Sequence, residues 1–344
     1  MTHELKKIVQ AYLISQKNKK KSVLATVVDL DGSSYRRPGV RMLIDEAGKM
    51  TGAVSGGCVE KEIWRQSGSV FKSGVAKVMQ YDGRYRLGCE GVLYILIEPF
   101  DPDRPFLKTF VQCLQKRADF TIRSYYSKKT EISPLFGTTI QFSNDNRMPF
   151  LRSFKYNEPL NDKSIKIFRQ EMKPCFKLVI IGAEHDAVQL CSMAAFLGWE
   201  ITIVAPVSEG KVIENFPGAH ELVNTHAGEI STSIDQQTAI VLMTHNFVND
   251  LKFLITLKAA KPVYVGLLGP SKRREKLLQA FLEHCPEAEN DFFELIHGPA
   301  GLNIGAETPQ EIALSILSEI LSVVRFQDPV FLKSKPGTIH SEVK

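Results

Sequence analysis

Hydrophobic and polar positions follow one rhythm in the first half of this chain and another in the second. Leu5, Ile8, Val9, Tyr12 and Leu13 recur at helical spacing and predict an opening amphipathic helix. Residues 22–28 read as a β-branched strand, and 40–44 with 49–53 as a hairpin around Asp45-Glu46-Ala47-Gly48. A short helix is expected over 59–66, strands over 75–80 and 92–97, a helix over 105–115, and short strands over 120–126 and 137–142. Residues 151–172 keep no period and read as irregular. From Phe176 onward apolar runs alternate with amphipathic stretches. Strands are expected at 177–181, 201–204, 239–243, 263–265 and 293–296, with helices at 187–197, 249–258, 272–283 and 309–324. The last helix opens on Thr308 as cap, Pro309 in the first turn and Glu311 at the reciprocal capping position. Strand–helix alternation of this kind means a parallel sheet covered on both faces. The fold class expected is α/β: a mixed α+β N-terminal domain over 1–172, a Rossmann-like doubly wound parallel-sheet domain over 173–330, and a tail over 331–344.

A chain of 344 residues is long for one domain and ordinary for two. The net charge of +5 is too small to call for nucleic acid, and the one basic run, Lys17-Asn18-Lys19-Lys20-Lys21, reads as a solvated loop. No apolar stretch approaches the roughly 18 to 20 residues that span a bilayer, so no membrane is expected. The six cysteines form no C-x-x-C pair, and the start of the chain shows no signal-peptide core. Reduced thiols and a cytoplasmic location are the expectation.

Four constellations could carry chemistry. Gly182-Ala183-Glu184-His185 follows an apolar strand and opens a helix, where a dinucleotide-binding turn would hold pyrophosphate. Glu184 stands where a glycine normally lets phosphate approach, and Ala205-Pro206 replaces the acid that grips a ribose; both argue against ordinary NAD(P) binding. His185, His245 and His297 each follow a predicted strand, so all three are expected at the ligand-binding edge of the sheet. A three-histidine metal site is geometrically open to them, as is a bland role in local hydrogen bonds. Ser55-Gly56-Gly57-Cys58 places a thiol at a helix N-terminus behind two glycines, a setting that favours thiolate and backbone anion binding; the alternative is a tight turn with a buried cysteine. Leu87-Gly88-Cys89-Glu90-Gly91 repeats the glycine-flanked cysteine, while the other four cysteines read as packing residues. Arg36, Arg37, Arg41, Arg84 and Arg86 are available to make such a pocket positive.

Those residues also carry a resemblance. Gly32-Ser33-Ser34-Tyr35-Arg36-Arg37-Pro38-Gly39, Ser55-Gly56-Gly57-Cys58-Val59-Glu60 and Leu87-Gly88-Cys89-Glu90-Gly91 resemble the N-terminal domain of the XdhC/CoxI family. Met243-Thr244-His245, the segment 264–269 and the run from Gly298 to Ala313 resemble that family's Rossmann domain. The resemblance implies an accessory protein, a chaperone in purine catabolism. It would bind the molybdenum cofactor (molybdopterin) and assist its sulfuration and insertion into a xanthine dehydrogenase-type molybdoenzyme. Cys58 and Cys89 would contact the metal. Gly56, Gly57, Gly88, Arg36, Arg37, Gly182, His185 and His245 would hold the rest of the cofactor. A cysteine desulfurase and a second copy of the chain are the further partners implied. Two other readings stay open: an NAD(P)-binding oxidoreductase and a docking subunit that holds no cofactor.

Overall fold

The computed structural model describes residues 1–32, 37–83, 91–142, 147–156 and 164–335. The chain divides into two compact units, Met1–Pro174 and Cys175–Lys344.

The first unit opens with helix α1 (Thr2–Lys17), followed by strands β1 (Ser22–Asp31), β2 (Arg41–Asp45) and β3 (Met50–Gly52), helix α2 (Gly57–Ser73), and strands β4 (Lys77–Asp82) and β5 (Val92–Pro99). Helix α3 (Arg104–Gln115) and strands β6 (Phe120–Tyr126), β7 (Glu131–Ile132), β8 (Gly137–Gln141), β9 (Arg147–Pro149) and β10 (Lys166–Met172) complete it. Two antiparallel sheets result, one in the order β3-β2-β1-β5-β4-β7 and one in the order β10-β6-β8-β9. β1 is buried on both faces, which is why it reads as a continuous apolar run rather than an alternating one. Val23, Ala25 and Val27 face α2 through Val59, Ile63 and Val70. Leu24 faces the other way, into a core shared with α1, α3 and the second sheet, where Phe100, Phe106 and Phe150 meet edge to face.

The sequence expectation of irregular chain over 151–172 misses β10, which pairs along its whole length with β6. Its side chains are mostly exposed, so it lies on a sheet edge and carries little apolar signal.

The second unit runs β11 (Lys177–Ile181), α4 (His185–Phe196), β12 (Glu200–Pro206), β13 (Glu221–Thr225), β14 (Thr238–Leu242), α5 (Phe247–Leu257), β15 (Tyr264–Leu267), α6 (Ser271–His284), α7 (Asn290–Glu294), β16 (Ile296–His297) and α8 (Pro309–Arg325). Its six strands are all parallel, in the order β13-β12-β11-β14-β15-β16. Leu178 and Ile180 pack under α4 and α8, while Val179 and Ile181 pack under α5 and α6, so helices cover both faces. The strand expected at 293–296 is instead the short helix α7 leading into a two-residue β16. Phe292 and Phe293 are held there by Phe281 of α6, a tertiary packing that overrides their strand propensity. β13, partly exposed on the edge, escaped the sequence reading.

Among the described residues no helix is long and apolar enough to cross a membrane.

Candidate functional site

Among the described residues of the first unit, Gly56, Gly57 and Cys58 stand at the start of α2. Gly56 is the N-cap, in extended backbone at φ −70°, and no side chain caps the helix there. The Val59 amide donates to Gly56 O at 3.0 Å, while the Gly57 and Cys58 amides precede the first intrahelical bond, and this end of the helix carries a partial positive charge. A Cβ built on Gly56 or on Gly57 would meet nothing within 4 Å. Neither glycine has a positive φ. The fold therefore does not require glycine at either position, and in a helix start it costs backbone entropy. Cys58 follows them, exposed and unpaired in a disulfide. The reading of Cys58 as a buried structural cysteine is thus overturned. Cys113, Cys175, Cys191 and Cys285 are buried, and Cys113, Cys191 and Cys285 lie within apolar clusters, as expected of packing residues.

Arg37 is exposed at the approach to β2. Arg41 is not part of any solvent-facing pocket, contrary to the sequence expectation. It is buried, and its Nη1 donates to Gly39 O at 2.9 Å and to Gln170 Oε1 at 2.7 Å. Burial lowers its pKa to about 10, against the attraction of Glu98 and Glu4, so it stays charged at neutral pH. It sits inside because β2 is covered on both faces. Gly88, Cys89, Arg36, Arg84 and Arg86 lie outside the described residues.

The end of β1 is tied down by a charged clamp. Tyr126 OH donates to Asp29 Oδ2 at 2.7 Å and Tyr94 OH to Asp31 Oδ2 at 2.7 Å, with Lys128 Nζ 3.2 Å from Asp29 and 2.6 Å from Asp31. This fixes the exit of β1 just before Gly32.

In the second unit the strand order reverses between β11 and β14, the switch point at which a doubly wound sheet opens a crevice at its carboxyl edge. Gly182, at φ 139°, occupies it. A Cβ there would stand 2.4 Å from Met243 O, so the β11–α4 turn crosses the end of β14 too closely for any side chain. Glu184 is the N-cap of α4 and contributes no side-chain cap, and His185 begins the helix. On the facing loop His245 adopts a left-handed backbone, φ 55°, uncommon for a residue with a side chain. Its Nε2 lies 3.5 Å from Asp186 Oδ2. A buried residue the sequence reading missed holds this loop. Asp250 accepts from Thr244 Oγ1 at 2.6 Å, and Arg273 Nη2 pairs with its other oxygen at 2.7 Å.

His297 stands away from the switch point. It ends the edge strand β16, stacks on Tyr264 with ring centroids 4.5 Å apart, and places Nδ1 3.2 Å from Glu319 Oε1. Burial works to raise the Glu319 carboxyl, but donors from His297, Tyr264 and the Gly301 amide outweigh it and hold the pKa below the ordinary value. Among the described residues no group of three or more His, Cys, Asp or Glu side chains could hold a metal ion. The three-histidine arrangement is absent because its third member belongs to a strand two places away from the switch point.

Comparison with known proteins gives these sites a family. Residues 178–320 match the XdhC Rossmann domain and residues 15–82 match the XdhC and CoxI family. A Bacillus subtilis protein named as a probable subunit of xanthine dehydrogenase is 27% identical over 88% of this chain and 93% of its own length. The Escherichia coli molybdenum cofactor insertion chaperone PaoD is 25% identical over 90% of this chain and 85% of its own. A crystal structure of a Bacillus halodurans protein described as a xanthine dehydrogenase shares the fold, with a TM-score of 0.77 and 23% identity across 96% of this chain and 98% of that one. With both family regions present in one chain, and relatives of matching length on either side, the chain belongs to the XdhC and CoxI family.

Proposed function

We propose that this chain is an accessory protein that carries the molybdenum cofactor and hands it to a xanthine dehydrogenase-type molybdoenzyme. The observation that carries the reading is the Gly56-Gly57-Cys58 helix start. Two glycines that neither packing nor backbone conformation demands stand before an exposed thiol. Glycines there let a ligand approach the free amides closely, and phosphate suits those amides. A thiolate is a good ligand for a soft metal or its sulfur environment. The names of the relatives, one a cofactor insertion chaperone and the other a probable component of xanthine dehydrogenase, support the same reading.

In this proposal Cys58 and Cys89 contact the molybdenum or its sulfur. Gly56, Gly57, Gly88, Arg36 and Arg37 hold the anionic part of the cofactor. Gly182, His185 and His245 serve the Rossmann unit's share of the contact with cofactor or recipient enzyme. Sulfuration of the cofactor with a cysteine desulfurase as sulfur donor, homodimerisation, and a cytoplasmic place in purine catabolism belong to the same proposal. The chemistry is retention and transfer, and it needs no proton shuttle.

The test is anaerobic loading of wild type, Cys58→Ser and Cys89→Ser with molybdenum cofactor, followed by gel filtration. Molybdenum content and pterin fluorescence of the protein peak are the readouts. Stoichiometric retention by wild type and loss in either variant is expected. Equal retention by all three removes the cysteines from the site. No retention by wild type overturns the carrier role and favours a docking role without cofactor.

A further inference from the structure

Arg41 is 6% exposed, where β2 of one sheet of the first unit meets β10 of the other. Only one side of its guanidinium is paired. Nη1 donates to Gly39 O and to Gln170 Oε1, while Nε and Nη2 are closed to solvent and meet no acceptor among the described residues. Nε and Nη2 share one edge of the planar group, the fork that grips an anion in two parallel hydrogen bonds. Buried donors without an acceptor are rare in folded chains, and here a whole donor edge of a cation is left so.

No carboxylate answers this charge directly. Glu98 and Glu4 attract Arg41 without a hydrogen bond to it. Glu98 is itself buried and committed to tying β5 to β8: the Thr138 amide donates to its Oε2 at 2.8 Å and the Thr138 hydroxyl to its Oε1 at 2.5 Å. Burial also pushes its carboxyl up to about 7, so near neutral pH only part of the Glu98 population is charged. The open edge of Arg41 has a polar neighbour instead. Thr26 stands directly opposite Arg41 in the β1–β2 ladder, so both side chains project to the same face. Its Oγ1 is buried and likewise has no partner among the described residues. Two donor nitrogens of a cation and an adjacent hydroxyl are a donor set for an anion.

We propose that Arg41 and Thr26 hold a small monovalent anion, of the size and charge of chloride, inside the first unit. One buried cation calls for one negative charge. Water would accept the hydrogen bonds but leave the guanidinium uncompensated in a low-dielectric interior. Phosphate and sulfate carry more charge than one guanidinium offsets. The packing also keeps the ligand small. A Cβ on Gly39 would already overlap Gln170 Nε2, and Leu24 with Leu43 fills the next pair on the same face of the ladder. The role is structural. Gly39 N donates to Val27 O at 2.8 Å and its carbonyl accepts from Arg41, so the anion completes a clamp that joins β1, the approach to β2, and β10. The inference stands independently of the carrier role.

Bromide, which replaces chloride and scatters anomalously, is the probe. Crystals of the full chain grown in sodium bromide are expected to show an anomalous peak at hydrogen-bond distance from Arg41 Nε and Nη2. In solution, urea unfolding is followed as bromide replaces gluconate at constant ionic strength. An anion that binds only the folded chain raises the midpoint, so the wild-type midpoint is expected to rise with bromide and then saturate. Arg41→Met is expected to lose the response, and Thr26→Val to need about tenfold more bromide for the same shift. General salt effects are common to all three chains and drop out of the comparison. Should Arg41→Met not fold, Thr26→Val and the map decide. A map with no anomalous peak at Arg41 overturns the proposal and gives its open edge to water. A wild-type midpoint that ignores bromide, or one that Thr26→Val follows unchanged, overturns it as well.

Discussion

His245 reaches across the switch point of the parallel sheet, placing its Nε2 3.5 Å from Asp186 Oδ2 and the loop after β14 against the first turn of α4. It does so from a left-handed backbone conformation that costs a residue with a side chain about 1–2 kcal/mol. Glycine adopts that conformation without the steric cost that a Cβ brings. His245→Gly is therefore expected to leave the chain equally stable or to stabilise it by about 1 kcal/mol. His245→Val, β-branched at positive φ, should cost more than about 1 kcal/mol. Urea unfolding measures both. A glycine variant less stable than wild type by more than the valine variant would show that the backbone there is not strained.

The glycines of the two units make opposite predictions. Gly182→Ala puts a Cβ 2.4 Å from Met243 O in a backbone conformation already hostile to it, and should destabilise the second unit by about 2 kcal/mol or more. Gly57→Ala puts its Cβ into open space in the first turn of a helix and should stabilise by up to about 1 kcal/mol. If the glycine serves close approach of cofactor, the same Gly57→Ala variant loses retention in the gel-filtration assay while its thermal midpoint holds or rises. A variant that keeps both stability and cofactor removes Gly57 from the site.

How much of this was legible in the sequence depends on which signal each residue sends. The parallel sheet was readable because β11, β12 and β14 are buried on both faces and flanked by helices of ordinary length. Thr308, Pro309 and Glu311 announced the start of α8, and the reciprocal capping hydrogen bonds are formed. Edge strands β10 and β13 sent no such signal, because a half-exposed strand carries few apolar residues. Gly182 was noticed as a phosphate-turn glycine, but its close approach to Met243 depends on a strand much later in the chain and could not be read locally. Arg41 looked available because an arginine near a glycine loop normally is. Only the pairing of β2 with β1 and the packing of Gln170 over it reveal its burial. Asp250 was the missed clue. It shares one face of α5 with Phe253, Leu254 and Leu257, and an aspartate at a core position of an amphipathic helix calls for a partner.

Asp250→Ala follows from that partner. The carboxylate is buried, and it receives the Thr244 hydroxyl at 2.6 Å and the Arg273 guanidinium at 2.7 Å. Removing it leaves a half-buried arginine charge and a loop hydroxyl without their acceptor, which should cost about 3 kcal/mol. The loss is expected to appear as a drop in the denaturant midpoint. Hydrogen exchange should quicken at 244–247 and in the first turn of α5 before it does elsewhere. A midpoint within about 0.5 kcal/mol of wild type would mean that the His245 loop is held by packing alone.

Glu98 makes stability depend on pH in a direction opposite to most carboxylates. Its folded pKa is raised to about 7 from an ordinary 4.5, so between those values the folded chain holds a proton that the unfolded chain has released. Stability therefore falls as pH rises through this window, by about 3 kcal/mol in total, and levels off above pH 7. Below pH 4.5 both states are protonated and the contribution of the neutral carboxyl is complete. Glu98→Gln cannot ionise and removes this dependence. Urea unfolding of wild type and Glu98→Gln from about pH 4.5 to 8 isolates the effect as a difference, since every other titrating group is common to both chains. The variant is expected to gain on wild type steadily with rising pH up to about 7 and then to run parallel. A difference that stays flat across the window would mean that Glu98 titrates as an ordinary carboxylate in the folded chain.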